Sequence, residues 1–317
     1  MTGGLFVGID AGGTSTRARA VRAGKVMHNG LGGPGNPCAV DAEVLRVSYA
    51  NALRGCPTPD RIVAAVAGAG SVSMQAQVKS VLTELYPRSN VTVTADYVAA
   101  YHALPPDTHV CVIAGTGSAV CSRRADGEWL ISGGRGWILG DHGSAARLGQ
   151  ALLGWYVEDP EAAPPHVAGV VLQALGTADW HQLVAQVHSA SAPAALLAAV
   201  APVLTGLAER RHQKACALLA EQMSALARTT VKHALHLREQ EPIPADEPLR
   251  AGLVGGVWRS PAAVEAFTRA LAAHGGDVLA LPRGATAVDP IDGALFLAGQ
   301  PMTTHPLTRS ALGGRSF

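Results

Sequence analysis

Near its start the chain places an aspartate at the end of an apolar run and follows it with two glycines and a group of hydroxyl side chains. Residues 5–9 are apolar, Asp10 follows them, and Gly12-Gly13 precedes Thr14 and Ser15. A glycine pair permits a tight turn, and backbone amides and hydroxyls at such a turn can bind a phosphate. The motif therefore predicts either a phosphate-binding hairpin or an ordinary glycine turn.

Two common phosphate-binding motifs do not fit this stretch. A P-loop needs Gly-Lys-Ser/Thr at the start of a helix, and a dinucleotide-binding motif needs Gly-x-Gly-x-x-Gly between a strand and a helix. Residues 14–22 instead alternate small or apolar residues with polar ones, which is typical of a half-buried strand. The sequence therefore favours a hairpin of another type.

The same order of elements recurs from residue 110. Residues 110–114 are apolar, Gly115–Ser118 is another glycine and hydroxyl turn, and 119–124 and 129–132 have strand character. The first copy continues in the same way, with a third strand predicted over 25–28. Two units of three strands, each with a Gly/Thr/Ser first turn, favour the phosphate-binding interpretation over an ordinary turn.

Helices and strands alternate between the two copies, which indicates an α/β sheet with helical crossovers. Asp96 follows a strand predicted over 91–95 and precedes a helix over 97–104. That position suits either a carboxylate facing a cleft or a helix N-cap. The remaining predicted elements are strands at 61–67, 249–254 and 278–281, and helices at 40–53, 72–85, 144–158, 167–175, 180–188, 194–207, 213–237, 262–272 and 285–298.

Composition excludes several classes of function. Of 317 residues, 48% are hydrophobic and the net charge is +1, so the chain can form sizeable cores and has no excess charge for nucleic acid or an anionic membrane. No leader or membrane-spanning stretch is evident. The five cysteines lack C-x-x-C spacing, which argues against a zinc site, and their odd number argues against a disulfide framework. We expect a cytoplasmic protein.

Taken together, the motifs resemble those of the sugar kinase, Hsp70 and actin superfamily. Within it the chain looks like the BadF/BadG/BcrA/BcrD ATPase family, and most closely its N-acetylglucosamine kinase branch. The resemblance spans about residues 4–299. It depends on an ordered set of segments: GIDAGGTSTR, GPGNP, TADYVAAYHA, IAGTGSAV, GGRGWILGDHGSAARLG, GLVGGVWRS and DPIDGALFLA.

The resemblance implies a two-lobed, actin-like ATPase fold of the ribonuclease H-like class, with duplicated βββαβα units and a cleft between the lobes. We expect an N-terminal lobe at 1–107 completed by a closing helix at 285–299, a C-terminal lobe at 108–284, and a flexible tail at 300–317. By analogy alone, a homodimer is expected.

The resemblance also assigns an ATP site. Asp10 would organise a Mg²⁺ through water, because this hard cation prefers oxygen ligands. Residues of the two hairpins and of a glycine turn would contact ATP, and Ala208 would lie against it. The implied nucleotide residues are Gly12, Gly13, Thr14, Ser15, Thr116, Ala208, Gly255, Gly256, Val257, Trp258 and Arg259.

For the acceptor, the resemblance favours Asp96 as the general base, which would take the hydroxyl proton during phosphoryl transfer. Asp141 would bind the sugar, or could instead cap the helix predicted from residue 144. The implied sugar residues are Asn36, Asp96, Ser118, Ala119, Gly134, Arg135, Gly136 and Asp141. These groups suit the hydroxyls of a neutral sugar.

Three segments depart from the family pattern. The usual GGWG reads GGRG at 133–136, the usual Asp-Glu-Gly-Ser reads Asp-His-Gly-Ser at 141–144, and Arg211-His212 replaces a Gly-Asp turn. These changes bear on the sugar and nucleotide pockets and weaken the choice of a particular sugar more than they weaken phosphoryl transfer.

The expected activity is therefore an ATP-dependent kinase acting on the 6-hydroxyl of N-acetyl-D-glucosamine. Glucosamine is the nearest alternative substrate. An ATPase that activates a partner reductase is a second class, but such proteins carry paired cysteines for an iron–sulfur cluster, and no matching pair is present. A sugar-sensing regulator is a third class, disfavoured by the presence of Asp96.

Overall fold

The computed structural model describes residues 3–159, 165–190, 192–244, 247–275, 277–281 and 288–299. The predicted tail at 300–317 lies outside the described residues. Within the described part of the chain, no single helix has the length and apolar composition to cross a membrane, although the pair Pro193–Glu209 and Gln213–Gln240, bent by 118°, passes that test when combined.

The first half forms a five-stranded sheet in the order β3-β2-β1-β4-β5. Strands β1, β2 and β3 are antiparallel neighbours, whereas β4 and β5 run parallel to β1. Its elements are β1 Leu5–Ala11, β2 Thr16–Arg22, β3 Lys25–Gly32, α1 Ala42–Ala52, β4 Arg61–Val66, α2 Val72–Leu85, β5 Asn90–Ala95 and α3 Asp96–His102.

The second half repeats this arrangement in the order β10-β9-β6-β7-β8. Between its third and fourth strands it carries a helical insertion, α4 to α8, in place of the single helix α1. Its elements are β6 Val110–Ala114, β7 Ser118–Arg123, β8 Trp129–Gly133, α4 Ala145–Glu158, α5 Pro165–Leu175, α6 Trp180–Ser189, α7 Pro193–Glu209, α8 Gln213–Gln240, β9 Leu249–Val254, α9 Pro261–Gly275, β10 Leu279–Ala280 and α10 Pro290–Leu297.

The two sheets therefore match strand for strand, and the predicted duplication and two-lobed α/β fold are confirmed. Each half has its own core. Apolar residues of β1, β4, α1 and α2 pack together in the first half, and those of β6, β9 and the helical insertion pack in the second. The alternation of apolar and polar residues in β2 follows the sheet pleat, because successive side chains point to opposite faces.

Helices α3 and α10 hold equivalent places after the last strand of each repeat, and they pack against each other. A Cβ added to Gly293 of α10 would lie 1.8 Å from the carbonyl oxygen of Ala99 in α3. Only a glycine permits so close an approach. Ala294 of α10 and its C-cap, Ala298, pack on the first sheet, and α3 contributes Ala100 to a cluster on the second.

The closing helix was predicted from residue 285, but α10 begins at Pro290. Residues 285–287 lie outside the described residues. Asp289 is the N-cap and its carboxylate accepts a hydrogen bond from the Ile291 N–H, while Pro290 occupies the first helical turn. Asp followed by Pro is a typical helix start. The aspartate caps the free N–H groups, and proline is tolerated in the first turn because an N–H at that position would have no partner in the helix.

Candidate functional site

The carboxyl ends of the parallel strands bring the predicted residues of the first half to one edge of its sheet. Ala11 of β1 lies beside Val66 of β4, which lies beside Ala95 of β5. The first hairpin and Asp96 therefore leave the sheet at the same edge. Ligands of open α/β sheets bind outside this edge.

The first hairpin is closed by its own backbone. Ala11 pairs with Thr16, which leaves residues 12–15 as the loop. The Gly12 N–H donates to the Ser15 carbonyl at 2.9 Å. No heavy atom of the described residues lies within 4 Å of a Cβ built on Gly13, so open space adjoins this part of the loop. Thr14 is exposed.

Asp10 lies at this hairpin and is paired with Arg17 of the facing strand. The Arg17 Nη2 donates to Asp10 Oδ2 at 2.6 Å. Burial raises the pKa of Asp10 despite the attraction of the Arg17 guanidinium. Among the described residues, none donates to the Oδ1 atom of Asp10. One carboxylate oxygen is therefore fixed by the protein and the other is available.

Asp96 is the first residue of α3, and it is half-buried. Its Oδ1 accepts a hydrogen bond from the Tyr97 N–H at 2.9 Å. The N-cap is Ala95, so the alternative interpretation of Asp96 as N-cap is wrong. Burial, followed by the negative charge of Asp10 and more weakly that of Asp141, raises the pKa of Asp96 to about 6.

Charges from both halves of the molecule act on Asp96. Asp10 belongs to the first repeat and Asp141 to the second, and both lie close enough to Asp96 for their charges to act on it. Within the described residues, no cationic side chain pairs with Asp96. A carboxylate with a raised pKa and no fixed cation can accept a proton near neutral pH.

The second hairpin is tied to the start of α4. Ala114 pairs with Ser118, which leaves the loop 115–117. The backbone N–H groups of Ala145 and Ala146 donate to the carbonyls of Gly115 and Thr116, at 2.8 and 3.2 Å. Because the first turn of a helix has unpaired N–H groups, this contact satisfies donors and fixes the loop at once.

Asp141 stands in the loop that follows β8 and has a left-handed backbone, with φ 52°. It is 9% exposed, and its Oδ1 accepts from the Gly136 N–H at 3.1 Å. Burial raises its pKa, and backbone N–H groups act in the opposite direction. The N-cap of α4 is Ser144, so Asp141 does not cap that helix.

A cavity of about 150 Å³ lies beside Asp141. It brings together several of the predicted sugar residues with side chains from β8 and α8. Gly134 and Gly136 belong to the adjoining loop, in which both have positive φ. The cavity residues that matter here are Ser118, Ala119, Ser132, Arg135, Asp141 and Thr229.

Asn36 lies at the sheet edge of the first half, beyond the end of β4. Its Oδ1 accepts from the Cys38 N–H at 2.8 Å. A Cβ on Gly68 would lie 2.1 Å from that oxygen, so Gly68 leaves the space that the Asn36 side chain occupies. The structure thus confines Asn36 near the strand ends that also carry Asp96, and its hydrogen bond with the Cys38 N–H is a local turn contact typical of asparagine.

The predicted glycine turn at 255–259 adjoins the second hairpin. A Cβ on Gly255, whose φ is 115°, would lie 2.4 Å from the Ala114 carbonyl oxygen. Val257 and Trp258 are buried, and the Trp258 indole N–H donates to the Val112 carbonyl. Their side chains pack in the core of the second half, whereas Gly256 and Arg259 are exposed.

Ala208, also predicted at the nucleotide, is buried near the end of α7. The turn that follows it contains Arg211, whose φ is 62°. A left-handed residue at a helix end is usually glycine, so this turn keeps the backbone geometry that the Gly-Asp pattern would provide.

Sequence reasoning missed two features of this region. Arg17 and Asp289, separated by 272 positions, form an ion pair beside Asp10. His233, in the helix predicted over 213–237, is 1% exposed and lies between Ser122 and Ser132, at 2.9 Å from each hydroxyl. The only sequence signals were two arginines, Arg17 and Arg19, on the same face of a half-buried strand, and the Asp-Pro helix start at 289–290.

The donor set at Asp10 fits a magnesium ion brought with a nucleotide. One free carboxylate oxygen at a hairpin suits a cation that keeps several waters and binds phosphate oxygens. Among the described residues there is no group of three or more His, Cys, Asp or Glu side chains arranged to hold a metal ion. The residues thus fit a metal shared with phosphate rather than one held by a protein cage.

Comparisons with known proteins identify the family and the fold of the chain. The model of the BadF/BadG/BcrA/BcrD ATPase family matches residues 7–298. No curated protein sequence matches the chain. A candidate N-acetylglucosamine kinase from Porphyromonas gingivalis has a similar structure, with 21% identity, a TM-score of 0.70, and coverage of 92% of this chain and 97% of that one.

Two further solved structures share the fold. A candidate N-acetylglucosamine kinase from Chromobacterium violaceum has 22% identity and a TM-score of 0.64, covering 93% of this chain and 99% of that one. A ROK family glucokinase from Streptomyces griseus, in complex with glucose and AMPPNP, has 16% identity, a TM-score of 0.55 and the same coverage. At these identities the likeness establishes the fold.

Proposed function

Because the chain belongs to the BadF/BadG/BcrA/BcrD ATPase family, we propose that it is an ATP-dependent kinase for the 6-hydroxyl of N-acetyl-D-glucosamine. The products are the 6-phosphate and ADP. One observation carries the proposal. Asp96 has no cation partner among the described residues, and the negative charges of Asp10 and Asp141 both raise its pKa. Candidate N-acetylglucosamine kinases among the similar structures support the choice of sugar.

In this proposal Asp96 accepts the proton of the 6-hydroxyl as that oxygen forms its bond to the γ-phosphorus. The bond from the γ-phosphorus to the bridging oxygen breaks, and ADP leaves with the electron pair. Its pKa of about 6 makes Asp96 a stronger base than an ordinary aspartate, and because this value is still below neutral pH the carboxylate is ionised and can take the proton. Phosphoryl transfer needs little more from the protein than position and charge.

The first hairpin would hold the phosphates with the open backbone at Gly13 and the hydroxyls of Thr14 and Ser15, while Gly12, whose N–H closes the hairpin on the Ser15 carbonyl, would let the nucleotide approach. Thr116 would contact the terminal phosphate from the second half. Asp10 would hold Mg²⁺ through water, and the ion would neutralise charge on the phosphates. The turn at Gly255, Gly256 and Arg259 would contact the adenosine side, with Val257 and Trp258 acting through their backbone since their side chains are buried.

The sugar would occupy the cavity beside Asp141. Asp141 would accept hydrogen bonds from its hydroxyls and the Asn36 amide would donate to them. Ser118, Ala119 and Arg135 of the cavity wall and the adjoining Gly134 and Gly136 would complete the site. The lobes at 1–107 and 108–284 would close on it, with the closing helix joined to the first lobe. Closure would exclude water, which otherwise would compete for the phosphoryl group.

The test is a coupled assay of ADP release with Mg·ATP and single sugars. The panel contains N-acetylglucosamine, glucosamine, N-acetylmannosamine, N-acetylmuramic acid and glucose, with a blank that lacks sugar. We expect release with N-acetylglucosamine well above the blank. Release with glucosamine alone would change the substrate, and equal release in every tube would indicate an ATPase that serves a protein partner.

A further inference from the structure

Five charged side chains form a continuous series between the first hairpin and the start of α10. Asp10 pairs with Arg17 at 2.6 Å, and Arg17 pairs with Asp289 at 2.7 Å. Asp289 also contacts Arg19 at 3.5 Å, and Arg19 pairs with Asp292 at 2.6 Å. We call this series the ion-pair chain. It connects the first strands of the protein with the last described helix.

Asp289 is the fixed point of the ion-pair chain. It is 6% exposed, and it is the N-cap of α10, where its Oδ1 accepts from the Ile291 N–H. Both of its oxygens also accept from Arg17, with Nη2 to Oδ1 at 2.7 Å and Nη1 to Oδ2 at 3.1 Å. A two-point contact between guanidinium and carboxylate fixes the plane as well as the position of the arginine.

Arg17 therefore cannot turn wholly toward Asp10. It reaches one oxygen, Oδ2, through Nη2 alone, and the same nitrogen is shared with Asp289. The other oxygen of Asp10 has no donor among the described residues. The positive charge of Arg17 is divided between two carboxylates, which leaves Asp10 with a free oxygen and with part of its negative charge uncompensated.

We propose that Asp289 is a positioning residue for the first hairpin, which holds Arg17 so that Asp10 stays available to the metal of a bound metal–nucleotide complex. This inference rests on the proposed use of Mg·ATP. It assigns to the start of α10 a part in nucleotide binding, although Asp289 itself touches neither phosphate nor metal.

Removal of the Asp289 charge has a predictable direction. Without that carboxylate, Arg17 pairs with Asp10 alone and compensates more of its charge, so Asp10 attracts a cation less strongly. Because Arg17 is a third exposed and its ion pairs are screened by water, we expect about a five- to tenfold change in affinity, far less than for a fully buried pair. Binding of ATP without metal would not weaken, because a negative charge near the polyanion has been removed.

The experiment compares Asp289→Asn with Asp292→Asn by titration calorimetry, once with Mg·ATP and once with ATP in EDTA. Asparagine remains a good N-cap, so the first variant removes charge and keeps the helix start. Asp292 is the matched control, since it lies in the same helix and pairs with Arg19 but not with Arg17. We expect Asp289→Asn to weaken Mg·ATP binding about five- to tenfold and leave ATP in EDTA unchanged or tighter.

We expect Asp292→Asn to change neither affinity by more than about twofold. Equal weakening of both ligands by Asp289→Asn, or no change in either, would overturn the inference, because a merely structural role has no preference for the metal complex. Failure of the natural protein to bind ATP under any condition would contradict the proposed function itself, and the inference with it.

A second variant decides the matter if Asp289→Asn does not fold. Arg17→Lys keeps the positive charge but cannot make the two-point contact with Asp289. The lysine would be free to pair with Asp10, so we expect the same selective loss of Mg·ATP affinity. An Arg17→Lys protein whose Mg·ATP affinity equals that of the natural protein would overturn the inference.

Discussion

Asp96 and Asp289 hold corresponding places in the two repeats, each at the start of the helix that follows the last strand, yet their surroundings differ. Asp289 is paired with Arg17 and Arg19, whereas Asp96 has a backbone N–H and two other carboxylates as its electrostatic neighbours. Burial beside cations fixes a negative charge in place. Burial without cations raises the pKa of a carboxylate. At corresponding places the duplicated fold therefore has a fixed ion-pair partner, Asp289, in one repeat and a candidate base, Asp96, in the other.

The hairpins differ in the same sense. When the last paired residues of the first strands are matched, Asp10 corresponds to Ile113, which packs against the cluster under α3. The first hairpin carries its own carboxylate, Asp10, whereas the loop of the second has no charged residue, is held by the start of α4 and lies against Asp141 of a later loop. The first hairpin therefore supplies charge directly, and the second supplies a fixed loop beside a charge that comes from elsewhere.

The largest expected effect is from Asp96→Asn, which removes the base and leaves its shape. We expect kcat for sugar phosphorylation to fall about a thousandfold, while ATP affinity is kept. Above pH 6 the free energy of unfolding of the variant, measured by urea denaturation, should be about 1–3 kcal/mol higher than that of the natural protein. The raised pKa of Asp96 means that its ionised form destabilises the folded state at that pH.

Asp179→Asn is the control for this change, since Asp179 is an exposed N-cap of α6 and asparagine can replace it. Its turnover should match that of the natural protein. If Asp96→Asn keeps near-normal turnover, Asp96 is not the base, and the contrast with Asp289 loses its functional meaning.

A second prediction concerns the close contact between α3 and α10. Gly293→Ala puts a methyl group against the Ala99 carbonyl, so we expect a loss of about 2–3 kcal/mol in the free energy of unfolding. Gly154→Ala is the matched change in α4, where a Cβ meets nothing within 4 Å, and it should add about 0.5–1 kcal/mol. Urea denaturation measures both. Equal stability of the two variants would show that the crossing tolerates separation.

The hairpins are compared by one methyl group each. Gly117→Ala would bring a Cβ to 2.7 Å from Asp141 Oδ2, so we expect KM for the sugar to rise about tenfold. Gly13→Ala meets no heavy atom, so the thermal unfolding of the free protein should not change, whereas KM for ATP should rise about tenfold because the methyl group enters the phosphate space. A higher KM for ATP with Gly117→Ala and a higher KM for the sugar with Gly13→Ala would contradict the roles assigned to the two loops.

The smallest effect is on pH dependence. Because burial and the neighbouring carboxylates raise the pKa of Asp96 to about 6, protonation below that pH removes the base. We expect kcat/KM for the sugar to be halved near pH 6 and to fall about tenfold for each further pH unit. Asp96→Asn should lack this acid limb. A limb centred near pH 4 in the natural protein would mean that Asp96 is not perturbed as described.

Much of this arrangement could be predicted from the sequence because its signals are local. Glycines that follow an apolar strand predict each hairpin, and the repetition of this motif predicts the two-lobed fold. The start of α10 was misplaced by several residues, since the apolar pattern outweighed the Asp-Pro signal at 289–290. Arg17 and His233 could not be assigned partners, because pairing across the two ends of the chain, or between α8 and the second sheet, leaves no local pattern.

The most direct test of the central claim is to follow the phosphoryl group itself by ³¹P NMR. The natural protein and Asp96→Asn are each incubated with Mg·ATP and N-acetylglucosamine, and with Mg·ATP alone. We expect a sugar 6-phosphate signal with the natural protein only, and little inorganic phosphate in the tube without sugar. Inorganic phosphate formed at the same rate with and without the sugar, by both proteins, would contradict it.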